Sequence, residues 1–343
     1  MASAGTPPSS TGDERQPETT GDDRQTIFSP ETCTRKGLCP VTQLRHQSEP
    51  FESHSLYFEQ HGAGPTKVVF IMGLNGSSFG WEYQVAYFGR LPEYSVLVFD
   101  NRGVGHSGAP RGPYSTSEMA KDVVTLLDYV GWTEKRDLHV VGISLGGMIS
   151  QELATLIPER IVSLTLAVTT PGGRPWTNLP SVKGIKTLAR LLTIKEPEVK
   201  IPLLLDMVYP RAWLDAKAAD DPQGRTNEQV QTDSLHARIA ITTPQTALGA
   251  FSQMAAGLTH HVAPPRLAAI SSRIPKVTIV TGDDDNLVDP NNSRRMKAAM
   301  REAELVEWEG TGHAIHGQDV RRFNGLVERT VGEGKARLME MSA

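Results

Sequence analysis

Short apolar runs alternate with stretches of helical spacing, and this alternation limits the possible folds more than any other feature of the chain. Residues 68–72 (Val-Val-Phe-Ile-Met), 95–99, 138–142 and 161–168 read as strands buried on both faces. Residues 117–130 place Val123, Leu126, Leu127 and Val130 at helical spacing, and residues 148–157 form a second helical stretch that ends at Pro158. Strand and helix in turn predict an α/β fold, a mostly parallel sheet with helices on both faces. Residues 55–60 alternate weakly and read as an earlier strand. The rhythm breaks at Pro171-Gly172-Gly173-Arg174-Pro175, and residues 181–258 show helical periodicity without a convincing strand. After Pro264-Pro265 the pattern resumes: strand 276–281, helix 292–301, strand 305–308 and a last helix from 320 to about 335. The expected organisation is a disordered or extended tail over 1–40, a first core segment over 41–170, a helical cap over 171–265 and a second core segment over 266–343. An insertion of that length is a subdomain rather than a loop.

Bulk properties narrow the function. The 343 residues carry 35 Lys plus Arg against 39 Asp plus Glu, a formal charge of −4. That balance gives no electrostatic case for nucleic acid or for an anionic membrane surface. No apolar run approaches the roughly 20 residues that span a bilayer, so no integral membrane segment is expected. Residues 1–29 are rich in Ser, Thr, Pro, Gly and acids, without the apolar core of a signal peptide, and they read as disordered. The two cysteines, Cys33 and Cys39, read as ordinary thiols of a reducing, cytoplasmic compartment. A disulfide loop or half a metal site is the alternative, but no further cysteines complete a framework or a zinc site. The sequence does not set an oligomeric state.

The chemistry is concentrated where the third buried strand meets its helix. Val140-Val141-Gly142-Ile143-Ser144-Leu145-Gly146-Gly147 is a Gly-x-Ser-x-Gly pentad between a β-branched run and a helical pattern. A serine on such a turn has its hydroxyl exposed for attack on a carbonyl, and flanking glycines clear the space around it. Ser144 needs a base, and the base needs a partner that fixes its tautomer. Gly310-Thr311-Gly312-His313-Ala314, directly after the last strand, supplies His313; nearby His316 is a weaker rival. Residues 281–289, after the preceding strand, offer four carboxylates, Asp283, Asp284, Asp285 and Asp289, and the Gly-x-x-Asp spacing selects Asp285. The strand after the nucleophile helix ends in Thr169-Thr170-Pro171, with no acid to compete. Two backbone donors would hold the oxyanion: Leu145 at the start of the helix and Leu74 in the loop Gly73-Leu74-Asn75-Gly76-Ser77-Ser78. That loop lacks the Gly-Lys-Ser/Thr ending of a phosphate loop.

The elbow Gly142–Gly146, the turn Asp100-Asn101-Arg102-Gly103-Val104-Gly105-His106-Ser107, the Gly282–Asp285 turn and Gly312-His313 together closely resemble the α/β-hydrolase superfamily, over about residues 55–335 without the insertion. The resemblance implies an eight-stranded sheet with a helical cap between its sixth and seventh strands. It also implies a structural role for the Asp100–Ser107 turn, with Asp100 and Arg102 as an ion pair. Epoxide hydrolases and haloalkane dehalogenases place Asp at the elbow, so Ser144 points to the esterase, lipase and lactonase branch. Many members begin the oxyanion loop with His-Gly; here the residues are Met72-Gly73, a departure that bears on how the loop is anchored.

The expected activity is hydrolysis of a small to medium, apolar carboxylic ester or lactone, with no cofactor and no metal. Gly73, Asn75 and Trp176 are the candidate substrate contacts. The apolar residues of the insertion, among them Leu205, Met207, Phe251 and Met254, read mainly as cap packing, and some would line an acyl pocket. The same triad would also serve an acyltransferase, a lyase or a cofactor-free peroxidase, and a non-catalytic ligand-binding module is a further alternative.

Overall fold

The computed structural model describes residues 22–43, 52–173, 181–194 and 196–342. Among them an eight-stranded sheet has the order β1-β2-β4-β3-β5-β6-β7-β8. The strands are β1 (Cys33–Gln43), β2 (Glu52–His61), β3 (Thr66–Ile71), β4 (Tyr94–Phe99), β5 (Leu138–Ile143), β6 (Ile161–Ala167), β7 (Lys276–Gly282) and β8 (Glu304–Trp308). β1 and β2 run antiparallel to their neighbours, and β4, β3, β5, β6, β7 and β8 are parallel. The helices are α1 (Glu82–Phe88), α2 (Thr116–Tyr129), α3 (Leu145–Leu156), α4 (Val182–Thr193), α5 (Pro197–Val208), α6 (Arg211–Asp215), α7 (Asn227–Ile241), α8 (Ala247–Thr259), α9 (Pro264–Arg273), α10 (Asn291–Ala299), α11 (Ile315–Gln318) and α12 (Val320–Ser342).

The buried runs behave as their patterns require. Every residue of β5, β6 and β7 is buried, because helices cover both faces. One core layer joins Val69, Leu97 and Val140 to Val123 and Leu127 of α2, Ile149 and Leu153 of α3 and Leu267 of α9. The other joins Val68, Phe70 and Val141 to Val85 and Phe88 of α1 and Phe323 and Val327 of α12. Helices α4–α8 lie between β6 and β7 in the chain and have their own small cluster of Ile201, Leu205, Tyr209 and Leu214. α9 joins the main core through Leu267 and Ile270.

The tail expected over 1–40 is shorter than that, because β1 begins at Cys33 and pairs along β2 from Cys33↔His61 to Gln43↔Glu52. Gly37 and Pro40 hide the strand signal. Both are tolerable at a sheet edge, where Pro40 is exposed while Cys39 and Val41 are buried. Residues 1–21 and Trp176 lie outside the described residues.

The expected Asp100–Arg102 ion pair is replaced by a different arrangement. Arg102 is bidentate to Asp122 of α2, Nε to Oδ2 and Nη2 to Oδ1 at 2.6 Å each, with both side chains almost wholly buried. Asp100 instead accepts backbone N–H bonds from Ser78 (2.6 Å) and His106 (2.8 Å). Asp122→Ala removes the bidentate partner of a buried guanidinium and is expected to cost about 3–5 kcal/mol in urea unfolding. The double variant Arg102→Met/Asp122→Leu is expected to recover most of that, and a single variant within about 0.5 kcal/mol of wild type would contradict the pairing.

Candidate active site

The parallel strands carry the three candidate residues to one edge of the sheet. Ser144 follows β5, Asp285 lies three residues beyond β7, and His313 follows β8. β5, β6, β7 and β8 are consecutive parallel neighbours, so all three positions lie beyond carboxyl ends. Ligands of open α/β sheets bind at this edge.

Ser144 adopts φ 54° and ψ −121°, a region that costs a side-chain-bearing residue about 1–3 kcal/mol. The surroundings hold it there. Its N–H donates to Ala167 O at 2.9 Å, and its carbonyl accepts the Thr169 hydroxyl at 2.7 Å. A Cβ at Gly146 would lie 2.0 Å from Ile71 O, so the pentad's second glycine is a requirement of close packing against β3. Leu145 is the first residue of α3, and its N–H therefore has no acceptor inside the helix.

His313 and Asp285 meet directly, Nδ1 to Oδ2 at 2.8 Å, with the carboxylate side chain wholly buried. The other carboxylate oxygen accepts the N–H groups of Leu287 (2.8 Å) and Val288 (2.9 Å). Oδ1 is thus occupied and Oδ2 is left for the ring, which places a proton on Nδ1 and leaves Nε2 as the basic nitrogen. The rival acids have other partners. Asp283 accepts from Thr311 N, and Asp289 accepts from Asn291 N at the start of α10. His316 is half-buried, with Nε2 bonded to Gly80 O at 3.2 Å, and loss of hydration around the ring pushes its pKa down to about 3, so it stays neutral. Gln318, which sequence reasoning missed, clasps the base loop by accepting from Gly312 N and donating to Gly310 O, both at 2.8 Å.

The loop after β3 lies against the nucleophile. A Cβ on Gly73 would stand 3.0 Å from Ser144 Cβ and 3.6 Å from its Oγ, so only glycine leaves that approach open. Half-buried Leu74 follows it. Its anchor is the Asp100 turn: Asn101 Nδ2 donates to Met72 O at 3.0 Å, and Asp100 holds Ser78 N. The insertion supplies a second anchor. Gln253 of α8, fully buried, accepts from Asn75 N at 2.8 Å and donates to Arg102 O at 2.8 Å. Gln245 donates to Asn75 Oδ1 at 3.0 Å. Asn75 was expected to face substrate, yet both its N–H and its side-chain oxygen are taken up by these glutamines. Nothing in the local sequence signals Gln253, which acts across 178 residues.

The insertion also touches the other two loops. Ser181 Oγ donates to Asn286 O at 2.6 Å beside Asp285, and Ala314 N donates to Val208 O at 3.0 Å beside His313. Leu205 and Met207 are buried in packing, whereas Phe251 is 56 % exposed. His260 is buried and bonded to Thr116 Oγ1 at 2.9 Å, a structural position. No helix of the described residues is long and apolar enough to cross a membrane.

The family model for the alpha/beta hydrolase fold matches residues 66–320. A protein of Pseudomonas savastanoi pv. phaseolicola named "Putative carbamate hydrolase RutD" is 30% identical over 276 residues, 79% of this chain and 95% of that protein. A protein of the same name from Azorhizobium caulinodans is 32% identical over 161 residues, 46% of this chain, which spans 56% of that relative's length. Among solved structures, the enol-lactonase of Burkholderia xenovorans LB400 superposes with a TM-score of 0.63 at 20% identity, covering 82% of this chain and 96% of that one.

Proposed function

The chain belongs to the α/β-hydrolase fold family and is a hydrolase, and from that premise we propose that it cleaves small to medium carboxylic esters or lactones through Ser144, His313 and Asp285. The observation that carries this reading is the Asp285–His313 bond at the same sheet edge as a strained serine. In the proposed cycle His313 Nε2 takes the Ser144 hydroxyl proton as Oγ attacks the carbonyl. The N–H groups of Leu74 and Leu145 receive the oxyanion. The alcohol leaves with the proton from His313, and water, deprotonated by the same nitrogen, releases the acid and restores Ser144. Asp285 fixes the ring tautomer throughout.

Carbamates are a second substrate reading, favoured by the relatives' name. The attack is the same, with a carbamoyl group in place of the acyl group on Ser144. A panel of esters of graded acyl length, lactones and carbamates separates the two, with products analysed in the presence of alcohol and peroxide as rival acceptors. Esters or lactones are expected to give the larger kcat/KM and water to be the acceptor. A larger kcat/KM for carbamates would overturn the substrate class. Failure of a fluorophosphonate probe to label Ser144 in folded protein would overturn the nucleophile.

A further inference from the structure

A second cluster of reactive groups lies at the other end of the sheet from the hydrolase site. Glu59 and His61 stand two residues apart on β2 and therefore point to the same face. Cys33, the first residue of β1, is the register partner of His61. The three ligand atoms all lie within 4.8 Å of one another, and Glu59 and His61 are both 0 % exposed.

The hydrogen bonds around the cluster fix what each atom presents. Thr32 Oγ1 gives its proton to Ser29 O at 3.2 Å and lies 2.9 Å from His61 Nδ1. With its own proton spent, that hydroxyl accepts, so Nδ1 carries the hydrogen and Nε2 carries the lone pair. Glu59 Oε1 accepts the Tyr57 hydroxyl at 2.7 Å, and Oε2 faces both Nε2 and the Cys33 thiol. Nε2 and Oε2 are 3.4 Å apart, and Nε2 is buried without a hydrogen-bond partner. The Cys33 thiol donates to the same Oε2 over a long 4.0 Å, so His61 Nε2 is the atom of this cluster left without a partner. A buried nitrogen left unpaired is unfavourable, and a bound cation would satisfy it together with the carboxylate and the sulfur.

We propose that Cys33, Glu59 and His61 form a binding site for a zinc-like divalent cation. Bonds of about 2.0–2.3 Å at tetrahedral angles separate N from O by about 3.4 Å and S from O by about 3.6 Å. The N···O separation matches, and the sulfur, 4.0 Å from the oxygen and within 4.8 Å of both other atoms, closes by up to about 1 Å through rotation of the Cys33 side chain. Sulfur, imidazole and carboxylate together suit zinc rather than calcium or magnesium. Cys33 is half-buried, so water can reach the fourth position. Binding releases one proton to solvent as the thiol becomes the thiolate ligand. Two cysteines alone do not make a zinc site in this chain; the histidine and the carboxylate complete it through strand register, with Cys39 taking no part.

Cobalt(II) titration of the full-length chain after chelator treatment tests the site. The expected result is a thiolate-to-cobalt charge-transfer absorption that saturates at one equivalent and is displaced by Zn²⁺. Cys33→Ser abolishes the absorption, and Glu59→Gln weakens cobalt binding by about tenfold or more. Zn²⁺ raises the Tm of wild type but not of Cys33→Ser, whose fold is checked by circular dichroism. Absence of the charge-transfer absorption in wild type, or its persistence in Cys33→Ser, overturns the proposal.

Discussion

Ser144→Ala is expected to lower ester turnover by about 10⁵-fold or more while leaving the fold intact. Alanine keeps the backbone at φ 54° and the Ala167 and Thr169 bonds that hold it there, because those bonds involve only main-chain atoms of residue 144. What disappears is the one oxygen placed to attack. Stability should change little, since the strain belongs to any side-chain-bearing residue at this position. Ser144→Gly removes that strain and is expected to raise unfolding free energy by about 1 kcal/mol, with activity lost just as completely. The pair of variants separates the two properties of the position: both are inactive, and one is more stable. Wild-type turnover of p-nitrophenyl acetate by Ser144→Ala would end the nucleophile assignment.

Mild acid is expected to destabilise the protein. Burial holds His139, His260 and His316 each to about 3, and neighbouring cations add to it: Lys335 near His139, His261 and Arg266 near His260, Arg238 near His316. The folded protein keeps these rings neutral, whereas the unfolded chain takes up a proton on each as pH falls below the ordinary histidine value of about 6.5. Their contribution to stability is therefore complete above that value and is lost progressively down to about pH 3. Each ring accounts for up to about 1.4 kcal/mol per pH unit in that window. Three rings make the loss between pH 6.5 and pH 5 several kcal/mol on the same basis. Nearer the carboxylate range, Glu304, held down to about 2 chiefly by Arg329, adds to the loss, while Asp100, raised by burial, opposes it. Urea midpoints measured at pH 7 and pH 5 give the answer, and an unchanged midpoint would rule out neutral burial of these rings.

The parallel part of the sheet was legible in the sequence because each of its strands is buried on both faces and so appears as an unbroken apolar run. β7 was expected over 276–281 and is found at Lys276–Gly282. β1 was not legible, since an edge strand with one covered face needs only Cys39 and Val41 to be apolar and tolerates Gly37 and Pro40. Local spacing pointed to Asp285 among four carboxylates, and Asp285 is the one bonded to His313, because the turn after a strand sets where a side chain points. It was not enough for Arg102, whose partner Asp122 is set by the packing of α2 against the Asp100 turn. The tie of Asn75 to the insertion was not legible for the same reason: Gln245 and Gln253 reach its Oδ1 and N–H from 170 and 178 residues away.

The bonds that tie Ser181 to the Asp285 turn, Val208 to the His313 loop and Gln253 to the loop after β3 bear on how a protein like this can diversify. A cap joined to its core only at two hinges can be exchanged as a module, bringing a new pocket to old chemistry. Here the insertion is also scaffolding for the machinery beneath it. Transplanting a foreign cap would remove three supports at once, so new substrate preferences are more accessible through changes at exposed positions such as Phe251 than through wholesale replacement.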